Sequence, residues 1–225
     1  MVTLTSSPKI WVFDIDDTLY LERDYVRSGF AAVGDHLHKS RGIEGFSSLS
    51  WKLFESGVRF DTFNRALVEM KINPEPQLVK ELVKIYRDHE PSISLEPKNY
   101  QLLRTLKKMN CIAFLTGGDP TSQGQKVKAL KLDSLADSIV YAGKYGLELD
   151  KPHPWAWREI ENITQCQGQE LVYIADNPNK DFLVPLQLNW RAIRVRLKDS
   201  EHFNHVTPAG VTQATSLEEA VALLL

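Results

Sequence analysis

Four short segments of this 225-residue chain carry the side chains best suited to chemistry. Each comes after an apolar run of strand-forming residues, where a buried strand would end. The segments are Asp14-Ile-Asp-Asp-Thr18, Thr116-Gly-Gly-Asp119, Lys151-Pro152 and Asp176-Asn-Pro-Asn-Lys-Asp181. Taken singly they are ordinary loop sequences, because acidic turns, Thr-Gly turns and Lys-Pro dipeptides are common in connections.

Together, the four segments combine several carboxylates with a lysine and a small hydroxyl donor. Neighbouring carboxylates repel one another, which costs stability unless a cation lies among them. Hard oxygen ligands with few thiols or imidazoles favour Mg²⁺. The lysine and the glycine-rich turn supply positive charge and backbone N–H donors for an anion. An anion held against a metal beside a carboxylate indicates phosphoryl transfer, with the carboxylate as nucleophile.

These segments need a scaffold that brings strand ends together. Short apolar runs alternate with helix-period segments from about residue 95 onward, which is typical of βα units around a parallel sheet. The predicted strands are 10–13, 112–115, 138–141, 171–174 and 192–195. Functional residues of such sheets collect at the carboxyl ends of the strands. The sequence therefore predicts a doubly wound, Rossmann-like α/β fold with the four segments along one edge.

The stretch 20–94 has a different character. Its apolar residues recur at helical spacing, and Gly and Pro residues separate the periodic segments. We therefore expect an inserted all-helical cap at 20–94, and an α/β core formed by 1–19 and 95–225. Further helices are predicted at 102–109, 127–132, 155–163 and 182–188, and a closing amphipathic helix at 217–225.

Composition limits the classes of function. With 29 acidic and 27 basic side chains the formal net charge is -2, so no global basic field favours nucleic-acid or membrane binding. No apolar stretch approaches the ~20 residues of a membrane span, and the start lacks the layout of a secretion signal. We expect a cytoplasmic monomer or homodimer that binds a small molecule, and neither a nucleic acid polymer nor a membrane.

The motifs resemble those of the haloacid dehalogenase superfamily of phosphotransferases in order and spacing. The matching residues are Asp14, Asp16 and Thr18 for the first motif, Thr116 for the second, Lys151 before Pro152 for the third, and Asp176 with Asp181 for the fourth. Ala175 stands where glycine is usual, and Gly117 where asparagine is common. Neither departure removes a side chain that performs chemistry. A helical insert between the first two motifs is typical of the phosphoglycolate-phosphatase-like and nucleotidase-like branch.

The resemblance implies a Mg²⁺-dependent phosphatase with an aspartyl-phosphate intermediate. Asp14 would be the nucleophile, and Asp16 the acid that protonates the leaving oxygen and later the base that activates water. The dehalogenases of the superfamily need no metal and lack this second carboxylate, so Asp16 favours a phosphatase. The implied metal ligands are Asp14, the backbone carbonyl of Asp16, and Asp176.

The remaining motif residues would bind the substrate. Thr116 and the Gly117 N–H would hold phosphate oxygens, and Lys151 would neutralise the charge of nucleophile and phosphoryl group. Asp181 would orient Lys151 or a water on the metal. Asp17 is expected either to contact the metal ligands without binding the metal itself, or to be exposed to solvent.

Two other functions remain open at this point. A receiver-like phospho-accepting signalling domain also combines carboxylates, Thr and Lys, but such domains are about half this length and lack a helical insert. A non-catalytic binding protein on the same fold is disfavoured by the intact Asp14, Asp16, Lys151 and Asp176. The expected substrate is a small phosphorylated metabolite: a sugar phosphate, a nucleoside monophosphate or a phosphoglycolate-like acid.

Overall fold

The computed structural model describes residues 7–225 as two compact units. The first unit comprises residues 7–22 and Ser94–Leu225, and the second comprises Arg23–Ile93. All four motif segments belong to the first unit. In the described part of the chain, no helix combines the length and apolar character that crossing a bilayer requires.

The first unit is built on a six-stranded sheet in which all neighbouring strands are parallel. The strands are β1 Ile10–Phe13, β2 Cys111–Thr116, β3 Ser138–Tyr141, β4 Leu171–Ala175, β5 Arg191–Val195 and β6 Thr212–Ala214. Their order is β3-β2-β1-β4-β5-β6. Phe13, the last residue of β1, lies opposite Phe114 of β2 and Ile174 of β4. The segments that follow these three strands therefore leave the sheet side by side.

Helices cover the sheet or form the second unit. They are α1 Glu22–Arg41, α2 Phe46–Glu55, α3 Thr62–Glu69, α4 Pro76–Asp88, α5 Pro97–Lys107, α6 Pro120–Ala129, α7 Trp155–Thr164, α8 Leu183–Gln187 and α9 Leu217–Ala222. Short 3₁₀ turns lie at Leu132–Ser134, Ala142–Tyr145, Leu147–Leu149 and Gly168–Glu170. The fold is a doubly wound, Rossmann-like α/β fold with an inserted helical unit.

The central strands are apolar on both faces because helices cover the sheet on both sides. All four residues of β1 and all five of β4 are buried. The large apolar cluster of this unit includes Val12, Leu115, Trp157 and Tyr173. In the second unit, a separate apolar core forms from residues of the four helices, such as Leu37, Phe46, Leu67 and Leu82.

The five predicted strands are confirmed, whereas β6 was not predicted. β6 is short and polar, with Thr212 and Gln213 exposed, so it lacks the apolar run that marked the others. The helix expected at 127–132 is displaced. It begins at Pro120, where Asp119 accepts a hydrogen bond from the Ser122 N–H, and it ends at Ala129. A proline in the first turn and a capping carboxylate start the helix earlier than apolar spacing indicates.

Replacing Leu115 tests how much the packing of the central strands contributes to stability. Leu115 is fully buried in β2, so Leu115→Ala leaves a cavity that should lower the free energy of unfolding by about 2–5 kcal/mol. Urea unfolding followed by circular dichroism measures the change. Leu147→Ala is the matched control, because that side chain is 78% exposed and should change stability by no more than about 0.5 kcal/mol. Equal effects of the two substitutions would contradict this packing.

Candidate active site

Three buried carboxylates converge at the carboxyl edge of the sheet. Asp14 follows β1, and Asp176 and Asp181 belong to the segment after β4. One oxygen from each lies within 4.8 Å of the others. Burial, and then the charges of neighbouring carboxylates, raise the pKa of Asp176 well above its ordinary value. Burial likewise raises the pKa of Asp14 to about 7, although Lys151 opposes the change. The three carboxylates therefore carry more negative charge than their surroundings compensate.

Lys151 supplies one buried cation to this cluster. Its Nζ lies 2.9 Å from Asp14 Oδ1 and 2.8 Å from Asp181 Oδ1, and it donates to the Tyr173 hydroxyl at 3.1 Å. Burial alone would lower the lysine pKa, but Asp14 and Asp181 outweigh it and raise the pKa well above the ordinary value. Lys151 is therefore a fixed ammonium beside Asp14.

Asp181 is the third carboxylate of the same cluster. It is fully buried, and its second oxygen accepts from the Asn177 N–H at 3.0 Å. It thus ties the loop after β4 to Lys151. On the neighbouring strand, the buried Arg194 donates through Nε to the carbonyl of Asp176 at 2.8 Å, and so fixes that loop from the other side.

The Asp16 carboxylate contacts a different cation, Lys126. Both of its carboxylate oxygens contact Lys126 Nζ, at 2.8 and 2.7 Å. Tyr20 donates to one of these oxygens at 2.6 Å, and Gln123 Nε2 to the other at 2.9 Å. Burial would raise the pKa of Asp16, but Lys126, Tyr20 and Gln123 together lower it. The side chain of Asp16 is thus held by Lys126, Tyr20 and Gln123.

The Thr-Gly-Gly turn after β2 is bonded within the protein. Thr116 is buried, and its hydroxyl donates to Gln123 Oε1 at 2.9 Å. The Gly118 N–H donates to Asp150 Oδ2 at 2.8 Å, and Gly118 has a φ of 93°, which glycine adopts without strain. A Cβ on Gly117 would lie 2.8 Å from an Asp150 oxygen, so that position has no room for a side chain.

Asp17 lies beside the cluster without joining it. Its oxygens accept from the N–H groups of Glu22 and Glu201, each at 2.9 Å. Burial raises its pKa to about 7. These bonds tie the segment after β1 to the segment after β5, which gives Asp17 a structural role.

A cavity of about 190 Å³ opens between these segments. Its lining combines the acidic residues with the glycine turn and two lysines; the residues are Asp14, Asp16, Asp17, Glu22, Gly117, Gly118, Gln123, Asp150, Lys151, Asp176, Asn177, Lys180, Glu201 and His202. Two of the predicted site residues, Thr116 and Asp181, are buried and do not line the cavity. The other five predicted residues contribute to it.

Sequence reasoning missed several residues of this site. Tyr173 lies within an apolar strand run, where nothing distinguishes its hydroxyl. For Gln123 and Lys126 the sequence does carry a signal, namely their position on one helical face with the apolar Val127 and Leu130. All four side chains are buried. Two polar residues on the buried face of a helix indicate that they have polar partners in the protein interior. Asp150 directly precedes the lysine of the third motif, and carboxylates are common at such turns.

The chain matches known proteins in family and fold. Residues 8–184 match the family described as haloacid dehalogenase-like hydrolase. Proteins named glyceraldehyde 3-phosphate phosphatase from Methanocaldococcus jannaschii and Methanopyrus kandleri are 23% and 25% identical over 202 residues. Those alignments cover 84% of this chain and 87% and 84% of the relatives.

Solved structures show the same fold. A HAD hydrolase from Bacillus subtilis bound to magnesium has a TM-score of 0.69 at 16% identity, covering 97% of this chain and 99% of that one. A 2-haloacid dehalogenase from Pseudomonas syringae has a TM-score of 0.65 at 19% identity, with coverages of 96% and 98%. Because the family match spans most of the chain, this protein belongs to the haloacid dehalogenase-like hydrolases.

Proposed function

We propose that the enzyme is a phosphatase that hydrolyses a phosphomonoester through a phosphoryl group carried on Asp14. The observation that carries this proposal is the placement of Asp14. Its carboxylate directly follows the central strand β1, lines the cavity, and contacts a buried ammonium at 2.9 Å. A fixed ammonium favours the ionised carboxylate and neutralises the charge of an approaching phosphate, which a nucleophile at this position requires.

In the first step, an oxygen of Asp14 attacks phosphorus and forms a new P–O bond. The ester P–O bond breaks, and the leaving oxygen takes a proton from the carboxyl group of Asp16. Lys151 stays charged and balances the negative charge that gathers on the phosphoryl oxygens. The products of this step are the free alcohol and phosphorylated Asp14.

In the second step, water attacks the same phosphorus atom. Asp16, now a carboxylate, takes a proton from the water, and the bond between phosphorus and Asp14 breaks. Inorganic phosphate leaves, and Asp16 holds the proton that the next leaving oxygen requires, although Lys126, Tyr20 and Gln123 lower its pKa in the enzyme without substrate. The Gly117 N–H is available for phosphate oxygens in this scheme. Thr116 contributes if its hydroxyl exchanges Gln123 for the phosphate.

We propose Mg²⁺ as the cofactor. The buried cluster offers only carboxylate oxygens and carries one ammonium among three carboxylates, so its charge and its donors fit a hard divalent cation. Asp14, Asp176 and the carbonyl of Asp16 would hold the ion, and Asp181 would support them through Lys151. When bound, Mg²⁺ supplies positive charge that stabilises a phosphate dianion beside carboxylates.

The proposed substrate is a small phosphorylated metabolite. The two curated relatives are named for hydrolysis of glyceraldehyde 3-phosphate, which supports a short phosphorylated compound of that kind. We also propose that the helical unit acts as a cap that selects among esters, because it interrupts the chain between the first and second motifs and has a core of its own.

Replacing the nucleophile tests the proposed reaction. Asp14→Asn keeps the side-chain volume but removes the attacking carboxylate, so turnover of an aryl phosphate should fall by at least ~10²-fold. Initial rates with Mg²⁺ measure the loss, and circular dichroism confirms folding. Asp133→Asn, in an exposed 3₁₀ turn, should keep the wild-type rate. A folded Asp14→Asn variant with wild-type turnover would place the nucleophile elsewhere.

Thermal unfolding with and without Mg²⁺ tests the cofactor. Protons compete with the ion for Asp14, whose pKa without metal is about 7, so the ion should bind better at pH 8 than at pH 5.5. The increase in Tm should therefore be larger at pH 8, at about 2–4 °C for each kcal/mol of binding free energy. Asp176→Asn should remove the increase, whereas Glu218→Gln, at an exposed position, should retain it. An unchanged Tm at both pH values would refute the metal site.

Removing the helical unit tests its role as a cap. A flexible linker in place of Arg23–Ile93 keeps Glu22, which pairs with Lys126 at 3.2 Å. We expect the shortened enzyme to retain some aryl-phosphate hydrolysis but to lose discrimination among metabolite esters in a kcat/KM panel. Unchanged selectivity of a folded, shortened enzyme would show that specificity resides in the α/β unit.

A further inference from the structure

Lys126 is a second buried lysine, separate from the motif lysine. It lies two turns into α6, and its side chain is 2% exposed. Its Nζ contacts both oxygens of Asp16 and also Glu22 Oε1 at 3.2 Å. A buried ammonium persists only where carboxylates compensate its desolvation, so Lys126 and its two partners form one unit.

The carboxylate of Asp16 is held from more than one direction. Lys126 and Gln123 approach it from α6, and Tyr20 approaches from the segment after β1. Gln123 also accepts a hydrogen bond from Thr116 at 2.9 Å, so the same network reaches the second motif. A short acidic side chain has three staggered rotamers, and these donors select one of them.

We infer that Lys126 is a positioning residue for proton transfer by Asp16. Its charge holds the Asp16 carboxylate in one orientation, against repulsion from Glu22 and the carboxylates that line the cavity. Proton transfer depends on that orientation, since a misplacement of about 1 Å can cost ~10²-fold in rate. The inference rests on the proposed phosphatase reaction, in which Asp16 protonates the leaving oxygen.

This role predicts a dependence on the leaving group. An alkyl phosphate leaves as a strongly basic alkoxide unless it is protonated, so its reaction needs a well-placed acid. A nitrophenyl phosphate has a weakly basic leaving oxygen and needs little help. kcat/KM reports the steps up to departure of the leaving group, so it isolates this requirement from the later hydrolysis of phosphorylated Asp14.

The experiment compares kcat/KM of wild type and Lys126→Met for a series of alkyl and aryl phosphates at one pH with Mg²⁺. We expect kcat/KM to fall by ~10²-fold for the alkyl esters, and by less than about tenfold for the nitrophenyl ester. Lys126→Arg restores a cation with several donors and should recover part of the alkyl-ester activity. Lys128→Met, exposed on the same helix, should match wild type throughout.

Each outcome separates the possibilities. If Lys126→Met lowers kcat/KM equally for all esters, Lys126 supports the fold alone and the inference is wrong. The inference is also wrong if Lys126→Met leaves the alkyl-ester kcat/KM unchanged or raises it, because Lys126 would then act on the Asp16 pKa and not on its orientation. If Lys126→Met does not fold, Tyr20→Phe decides: it removes one donor to Asp16 without changing charge, and it should lower alkyl-ester activity more than aryl-ester activity. The absence of any leaving-group effect in Tyr20→Phe would then overturn the inference. If the wild type hydrolyses no phosphate ester, the proposed function itself fails.

Discussion

Repulsion among carboxylates is the constraint on which this site depends. Seven acidic side chains line one cavity at the edge of the sheet: Asp14, Asp16, Asp17, Glu22, Asp150, Asp176 and Glu201. Such a concentration of negative charge destabilises the folded chain unless cations or hydrogen-bond donors compensate it. Two buried lysines provide part of the compensation, each bonded to a different member of the Asp-x-Asp pair. A divalent cation would compensate the negative charge that remains and would allow a phosphate group to bind beside the carboxylates.

The fold makes this arrangement possible by its topology. β1 lies between β2 and β4, so the acidic segment after β1 meets the turn after β2 and the loop after β4. The two lysines belong to other segments: Lys126 lies in the second turn of α6, and Lys151 lies in the loop before α7. Parallel strands supply the shared edge, and the crossover segments supply the compensating charge. The two parts of the site thus have different structural origins.

The sequence alone predicted five of the six strands, the inserted helical segment and the acidic residues that meet at the sheet edge, because strand ends and motif spacing are local features. The family resemblance implied that Lys151 lies beside Asp14 and Asp181, but the partners of Asp16, Asp17 and Thr116 were not predicted. Lys126 is 110 residues from Asp16, and Lys151 is 137 residues from Asp14, so their contacts depend on the packing of distant segments. Thr116 illustrates the same limit: its position at a strand end was correct, but packing turns its hydroxyl to Gln123. Local patterns identify the groups, and tertiary structure assigns their partners.

The central claim is that a phosphoryl group passes through Asp14, and the direct measurement is the mass of the protein during turnover. The enzyme is mixed with an excess of an aryl phosphate and Mg²⁺, quenched in acid after milliseconds, and digested for peptide mass analysis. If Asp14 is the nucleophile, the peptide containing Asp14 gains the mass of one phosphoryl group, and the added group is on Asp14. Phosphorylation of another residue, or no phosphorylated peptide at any quench time during active turnover, would contradict it.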